Sequence, residues 1–447
     1  MNSRTSFLQI VFVATLFCGF AYAQQNQSIS HQTISKEDRE RARDMFSNIA
    51  NDVKKHYYDP HYHGVDWDSA IRSTEQAIDN STSLNHALSE IAAGLDKLND
   101  SHTFFLPPRR PYTHDFEWQL EMFGDHCFVT QVRPSSDADV KGIKRGDEVL
   151  ALNGFQPTRE SLQRMMYVFN VLRPQQGLRV VVRSPQGQSR ELEVLAAMRQ
   201  RKKVLNLVMD GTSDIWDIMR DNERNRHFWR ARWAEIGADV TVLKFPGFHF
   251  TETEVGDMMN RARKHNTLII DLRGNPGGSE DTLKALLAGV LDHEVKIGDR
   301  VTRDGSKLMQ AKSRGHNAFT GKLVVLVDSK SASAAELFSR VMQLEKRATV
   351  LGDKTAGAVM EAKRYSYQLG LDTVVFYGVS ITDADIVMTD GKSLEHSGIT
   401  PDEVILPTAA DLAAERDPVL ARAAELCGAT LSAEAAGALF PYEWPPL

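Results

Sequence analysis

The chain has 447 residues, of which 42% are hydrophobic and 25% charged, with a formal net charge of -6. That length leaves room for two or three domains and a large core, and the balance is that of an ordinary globular protein rather than a disordered or fibrous one. A slightly acidic chain without a long basic run offers little to nucleic acid.

At the N-terminus, Arg4, the apolar run Phe7 to Phe20 and Ala21-Tyr22-Ala23 ahead of Gln24 predict a secretory signal peptide over 1–23. The apolar run is too short to span a membrane as a mature helix, so no stable membrane insertion is expected. Cys18 follows the bulky Phe17, which argues against a lipoprotein signal. Residues 24–34 are polar and are expected to be disordered. Export would permit a disulfide between the remaining cysteines, Cys127 and Cys427. They fall in different predicted domains, and two separate buried thiols fit as well.

Residues 35–112 read as a helical N-terminal region. Ala42, Met45, Phe46, Ile49 and Val53 recur at helical spacing between Lys36 and Lys55, and a second helix is predicted over Leu84 to Leu98. Between them, His56, His61 and His63 cluster in a turn-rich stretch that reads as a solvated loop rather than a metal site. No Cys/His set in the chain has metal-ligand spacing. Asn99-Asp100-Ser101-His102-Thr103 forms a polar turn before Phe104, and Pro107 and Pro108 close the region.

Residues 113–200 change to short strands, among them Cys127 to Val132, Leu178 to Val182 and Glu191 to Val194, with a helix over Arg159 to Val171. From 201 to 408 strand and helix alternate. Strands are predicted at Val240–Lys244, Thr267–Leu272, Lys322–Val327 and from Thr349, with helices at Glu252–Lys264, Asp281–Leu291 and Ala334–Leu344. That order argues for an α/β domain with a largely parallel sheet. Residues 409–447 form an Ala-rich helix over Ala409 to Leu426 and a tail.

Chemistry concentrates where the strand Val324 to Val327 runs through a Ser/Lys turn into a helix. Ser333 stands at the first turn of that helix, where backbone N–H groups are free and the helix dipole favours negative charge. A serine there can attack a carbonyl while neighbouring N–H groups hold the oxyanion. Ser333 and Glu336 also fit the Ser-x-x-Glu capping box, a purely structural device. Asp271-Leu272-Arg273-Gly274-Asn275-Pro276-Gly277-Gly278 is a strand entering a Gly-rich turn that lets backbone approach a ligand.

Taken in order with Gly352 to Ala358 and Leu394 to Asp402, these segments closely resemble the tail-specific (C-terminal processing) serine protease family. Gly142-Ile143, Gly146 to Leu150 and Asn153-Gly154 resemble the run of the PDZ domain that such proteases carry. The resemblance implies a ClpP/crotonase-like α/β core, a helical N-terminal region and an inserted PDZ-like strand/helix module. It assigns Ser333 as nucleophile and the N–H groups of Gly278 and Ala334 as oxyanion donors. The best-known branch has a lysine base where this chain has Ala358, and Lys354 occupies a non-catalytic position. The tricorn-like branch instead uses a histidine oriented by a glutamate, matching His102 as general base and acid, Glu395 as its orienter and Ser101 as an auxiliary hydrogen-bonding residue. His396 is a rival base, but neighbours in an extended segment point opposite ways, so one of the pair 395–396 faces the site.

The expectation is therefore an exported, periplasmic serine protease that works through an acyl-enzyme on peptide or protein substrates, with the PDZ-like module as a contact for them and no metal or organic cofactor. Tricorn-like relatives often assemble, so a homo-oligomer fits the resemblance. Two rivals stand beside it: an inactive ligand- or peptide-binding protein on the same fold, and an esterase or amidase for small substrates.

Overall fold

The computed structural model describes residues 33–200, 227–370 and 374–445. The expected signal peptide, most of the polar stretch after it and the start of the α/β region at 201 lie outside the described residues. Thr33 and Ile34 are described, and Ile34 is buried with its N–H bonded to the Thr82 carbonyl at 3.2 Å.

The chain begins with helices α1 (Lys36–His56), α2 (Trp67–Asp79) and α3 (Leu84–Asp96). Each is capped by a side chain, from Ser35, Asp66 and Ser83 respectively. Their apolar faces meet in one core with Phe105, Tyr377, Val379 and Ile381. Strand β1 (Phe104–Leu106) follows, then β2 (Tyr112–Asp115), β3 (Trp118–Phe123), β4 (His126–Val132), the short α4 (Asp137–Val140), β5 (Glu148–Leu152), α5 (Leu162–Tyr167), β6 (Gly177–Arg183), β7 (Ser189–Leu195) and β8 (Ala197–Gln200). Strands β3 to β7 form one antiparallel sheet in sequence order with its own apolar core, and β2 pairs with β8 at its base. α5 starts later than the Arg159 expected, because Thr158 and Ser161 bond to each other, Thr158 N–H to Ser161 Oγ at 2.8 Å, and hold a turn there.

The second half holds β9 (Arg232–Ile236), β10 (Val240–Lys244), α6 (Glu252–Ala262), β11 (Thr267–Asp271), α7 (Glu280–Val290), β12 (Val295–Thr302), β13 (Gly305–Ala311), β14 (Lys322–Val327), α8 (Ala334–Leu344), β15 (Thr349–Gly352), β16 (Met360–Leu369), β17 (Val375–Met388) and β18 (Glu403–Val404). The main sheet runs β18-β15-β14-β11-β10-β9, parallel except for β9. The largely parallel sheet read from the sequence is thus present. Along β14 the side chains alternate, Val325 and Val327 packing with α6, α7 and α8, and Val324 and Leu326 with the C-terminal helices on the other face. Burial on both faces explains the unbroken apolar run, each such side chain contributing roughly 1.5–3 kcal/mol.

The Ala-rich stretch does not form a single helix. It divides into α9 (Ala409–Ala413) and α10 (Pro418–Leu426), with α11 (Ala433–Ala438) beyond. Pro418 cannot continue a helix, and Asp417 before it caps the next one through the Leu420 N–H at 2.9 Å. Asp417 also receives the Arg273 guanidinium at 2.7 and 2.9 Å, which bonds Asp271 as well. Arg273 and Lys244 hold the buried Asp271 carboxyl well below the usual carboxylate range, against the effect of its burial.

A second sheet, β1-β17-β12-β13 with β16 on β17, joins the helical region to the core. Its register sets Phe104 opposite Ser380, which brings the loop before β1 against β17, where Thr382 Oγ1 bonds Asp100 at 2.6 Å.

Candidate active site

Ser333 follows β14 as the N-cap of α8 with φ 55° and ψ -121°. This combination is strained for any residue but glycine. The turn that imposes it is tightly bonded. Asp328 Oδ1 accepts from the N–H groups of Gly274 and Lys330 and from Ser331 Oγ. Ser331 Oγ also reaches the Leu272 carbonyl at 2.9 Å, and the Ala332 N–H bonds Asn275 O at 2.9 Å. The serine's own N–H is shared between Ala358 O at 2.8 Å and Glu336 Oε2 at 3.0 Å.

Glu336 does more than the capping box required. It is fully buried, and its other oxygen takes Thr355 Oγ1 at 2.5 Å and the Gly357 N–H at 2.8 Å, while Oε2 also takes the Ala358 N–H at 3.0 Å. The carboxylate thereby ties the Ser333 turn to the segment from Thr355 to Ala358. Burial pushes its pKa up to about 7, against these hydrogen bonds.

The Gly-rich turn lies against the serine. A Cβ on Gly277 would stand 2.6 Å from Ser333 Cβ and 2.9 Å from the Ala334 nitrogen, so only glycine permits the approach. The Phe248 N–H bonds Gly277 O, and the Ser279 N–H bonds Phe248 O. Among the described residues, the N–H groups of Gly278 and Ala334 donate to no protein acceptor. Two unspent donors flank Ser333 in the places expected of an oxyanion hole.

The second half of the site comes from the loop before β1. Glu395 accepts the Ser101 N–H at 2.7 Å and Ser101 Oγ at 3.0 Å, and Ser101 Oγ lies 2.7 Å from His102 Nδ1. The carboxylate therefore reaches the imidazole through a hydroxyl and not directly, as an orienter in contact would. An ionised Glu395 takes the single proton of that hydroxyl, so the ring donates from Nδ1 and keeps its lone pair on Nε2. Burial holds His102 below the ordinary histidine value, opposed by the charge of Asp100. Burial raises Glu395, opposed by the Val359 and Ser101 N–H bonds.

Glu395 joins the two halves: its Oε2 also accepts the Val359 N–H at 2.9 Å, one residue from the Ala358 carbonyl that holds Ser333. No hydrogen bond among the described residues links His102 to Ser333. His396 does not lie in an extended segment, since its φ is 58°; its ring turns to the Asn99 carbonyl, with Nε2 at 2.8 Å. Lys354 is exposed, and its carbonyl, not its ammonium, is engaged, by Arg159 at 2.9 Å. Asp100, Tyr57 and Thr382, which support the His102 loop, were not singled out from the sequence; an Asp at the head of a polar Ser-His-Thr turn was the available signal. Cys127 and Cys427 are unpaired, and burial pushes the Cys127 thiol up to about 12.

Residues 239–405 match the model of peptidase family S41, and residues 38–83 match the tricorn protease C1 domain. The tail-specific protease of Haemophilus influenzae is 24% identical over 68% of this chain and 43% of its own length. The carboxyl-terminal-processing protease of Synechocystis sp. is 24% identical over 60% of this chain and 57% of its own length. The chain thus spans about half the length of these curated relatives. The crystal structure of mature CPAF aligns with a TM-score of 0.63 at 16% identity, over 84% of this chain and 94% of that one, which shows a shared fold.

Proposed function

We propose that the chain, whose residues 239–405 match the model of peptidase family S41, is an exported serine protease whose working groups are Ser333, His102, Ser101 and Glu395. Ser333 Oγ attacks the scissile carbonyl, and His102 Nε2 takes the hydroxyl proton. The N–H groups of Gly278 and Ala334 hold the oxyanion of the tetrahedral intermediate. Collapse expels the amine, protonated by His102, and leaves an acyl-enzyme. Water activated by the same imidazole then frees the acid. Glu395 acts through Ser101, keeping the ring in the Nδ1–H tautomer and stabilising the imidazolium.

The observation that carries this reading is the Glu395–Ser101–His102 chain, which supplies a base in a protein that has Ala358 where a lysine would be. The test is a fluorophosphonate label on the intact protein. We expect adduct at Ser333 in the wild type and none in Ser333→Ala, with the variant's circular dichroism unchanged. A wild type that stays unlabelled at neutral pH overturns the reading.

The sheet β3–β7 serves in this proposal as a PDZ-like module. β3 pairs with β4 alone among the described residues, so the part of its other edge ahead of Met122, whose carbonyl already takes Ser329 Oγ, can accept a substrate strand. Among the described residues no helix is long and apolar enough to cross a membrane. With the signal expected from the sequence, delivery to the periplasm fits. A second reading, a ligand-binding protein on the same fold, draws on the missing bond between His102 and Ser333. Clean non-reaction with the label would favour it.

A further inference from the structure

The turn-rich HYYDPHYHG stretch read from the sequence as a solvated loop is wired to the histidine. α1 ends at His56, and Tyr57 is fully buried beneath the polar turn 98–103. Its hydroxyl donates to Asp100 Oδ2 at 2.9 Å. Asp100 Oδ1 takes three further donors: the His102 N–H at 2.9 Å, the Thr103 N–H at 2.7 Å and Thr382 Oγ1 at 2.6 Å. Thr382, in β17, is itself fixed by the Tyr58 N–H to its carbonyl at 3.1 Å and by Thr103 Oγ1 to its own N–H at 3.0 Å. The neighbouring Tyr58 hydroxyl meets His63 Nε2 at 2.5 Å, and the other nitrogen of that ring meets Leu98 O at 3.0 Å.

Every main-chain N–H from 101 to 103 is thus held by a carboxylate, the first by Glu395 and the next two by Asp100. Those bonds fix the backbone from which the imidazole projects. One carboxylate oxygen is saturated by the turn and β17, and the other is reserved for the buried phenol. A carboxylate placed only to cap a turn has no need of the second anchor.

We propose that Asp100, braced by Tyr57 and Thr382, is a positioning residue that holds His102 in reach of Ser333. This rests on the Ser333–His102 reading above. Asp100 does not touch substrate; it acts through the main chain of the turn and through its charge. Of the titratable groups around the turn, Tyr57, Tyr58, His63, Asp100, Glu395 and His396, Asp100 is the charge that raises the His102 imidazole.

The test compares Asp100→Asn, Tyr57→Phe and Thr382→Val with the wild type, all as full chains. Rates of Ser333 labelling by a fluorophosphonate are followed across pH. Tyr367→Phe is the control: it removes a like bond, Tyr367 hydroxyl to Asp52 at 2.7 Å, from the same core without touching 98–103. We expect labelling to fall about tenfold in Tyr57→Phe and Thr382→Val and about a hundredfold in Asp100→Asn, since small misplacements of a working group cost rates of this order. Tyr367→Phe should label at the wild-type rate. In Asp100→Asn the acid limb of the pH profile should also move to lower pH, because the lost negative charge no longer favours the imidazolium. Labelling in Tyr57→Phe and Thr382→Val equal to the wild type, with the Asp100→Asn midpoint unmoved, overturns the inference while the serine reading stands. A wild type without label overturns both.

Discussion

Ser333 adopts a backbone conformation that costs a non-glycine residue on the order of 1–3 kcal/mol. The bonds of Asp328, Ser331 and Glu336 hold it there, so the strain belongs to the turn and not to the hydroxyl. Ser333→Gly should therefore be more stable than Ser333→Ala by ~1 kcal/mol in denaturant unfolding, although both lack the hydroxyl. Equal stabilities would mean that the turn relaxes when the side chain is lost. Glu336 makes a second residue-scale prediction. Its folded pKa of about 7 lies above the ordinary 4.5, so the folded state holds a proton that the unfolded chain has released. Its contribution is fully present below pH 4.5 and is lost as pH rises through 7. The advantage of the wild type over Glu336→Gln should then shrink by up to ~3 kcal/mol across that window. A difference that is flat with pH would show that the four donors outweigh burial and keep the carboxylate ionised throughout.

At the scale of elements, the segments buried on both faces were legible. β10 and β14 occur with the bounds the apolar runs predict, and α8 begins and ends where its pattern does. The hairpins β12–β13 and β16–β17 were not, because long stretches of them are half-exposed and carry charged residues such as Lys307, Lys363 and Arg364. Their pairing is set by partners far along the chain, above all β1 on β17. The site shows the same division. Ser333 and the Gly-rich turn announce themselves by local pattern. The Ser101 bridge between Glu395 and His102 depends on a contact between residues nearly three hundred positions apart, which no local pattern encodes. α2 went unread although Asp66 caps it, since its exposed face is rich in polar residues and its buried one is narrow.

Across the whole molecule, the strand module is anchored on the same segments that build the site. Arg159 bonds Gly124 O at 2.8 Å and Lys354 O at 2.9 Å and pairs with the buried Asp353, which also takes the Gly124 N–H. Ser329 Oγ donates to the Met122 carbonyl at 2.6 Å, and Lys330 pairs with Glu121 at 3.3 Å. Arg159→Ala leaves a buried carboxylate without its cation, so hydrogen exchange at the β3–β4 hairpin should report local opening easier by ~3 kcal/mol. Unchanged protection there would show that the module is held elsewhere. The Arg273 network has a consequence of another kind. The arginine beside the Gly-rich turn is neutralised in part by Asp417, so a nascent chain still short of its last helices carries an incompletely balanced guanidinium at the head of that turn. The balance of charge at that turn would thus be completed only near the end of synthesis.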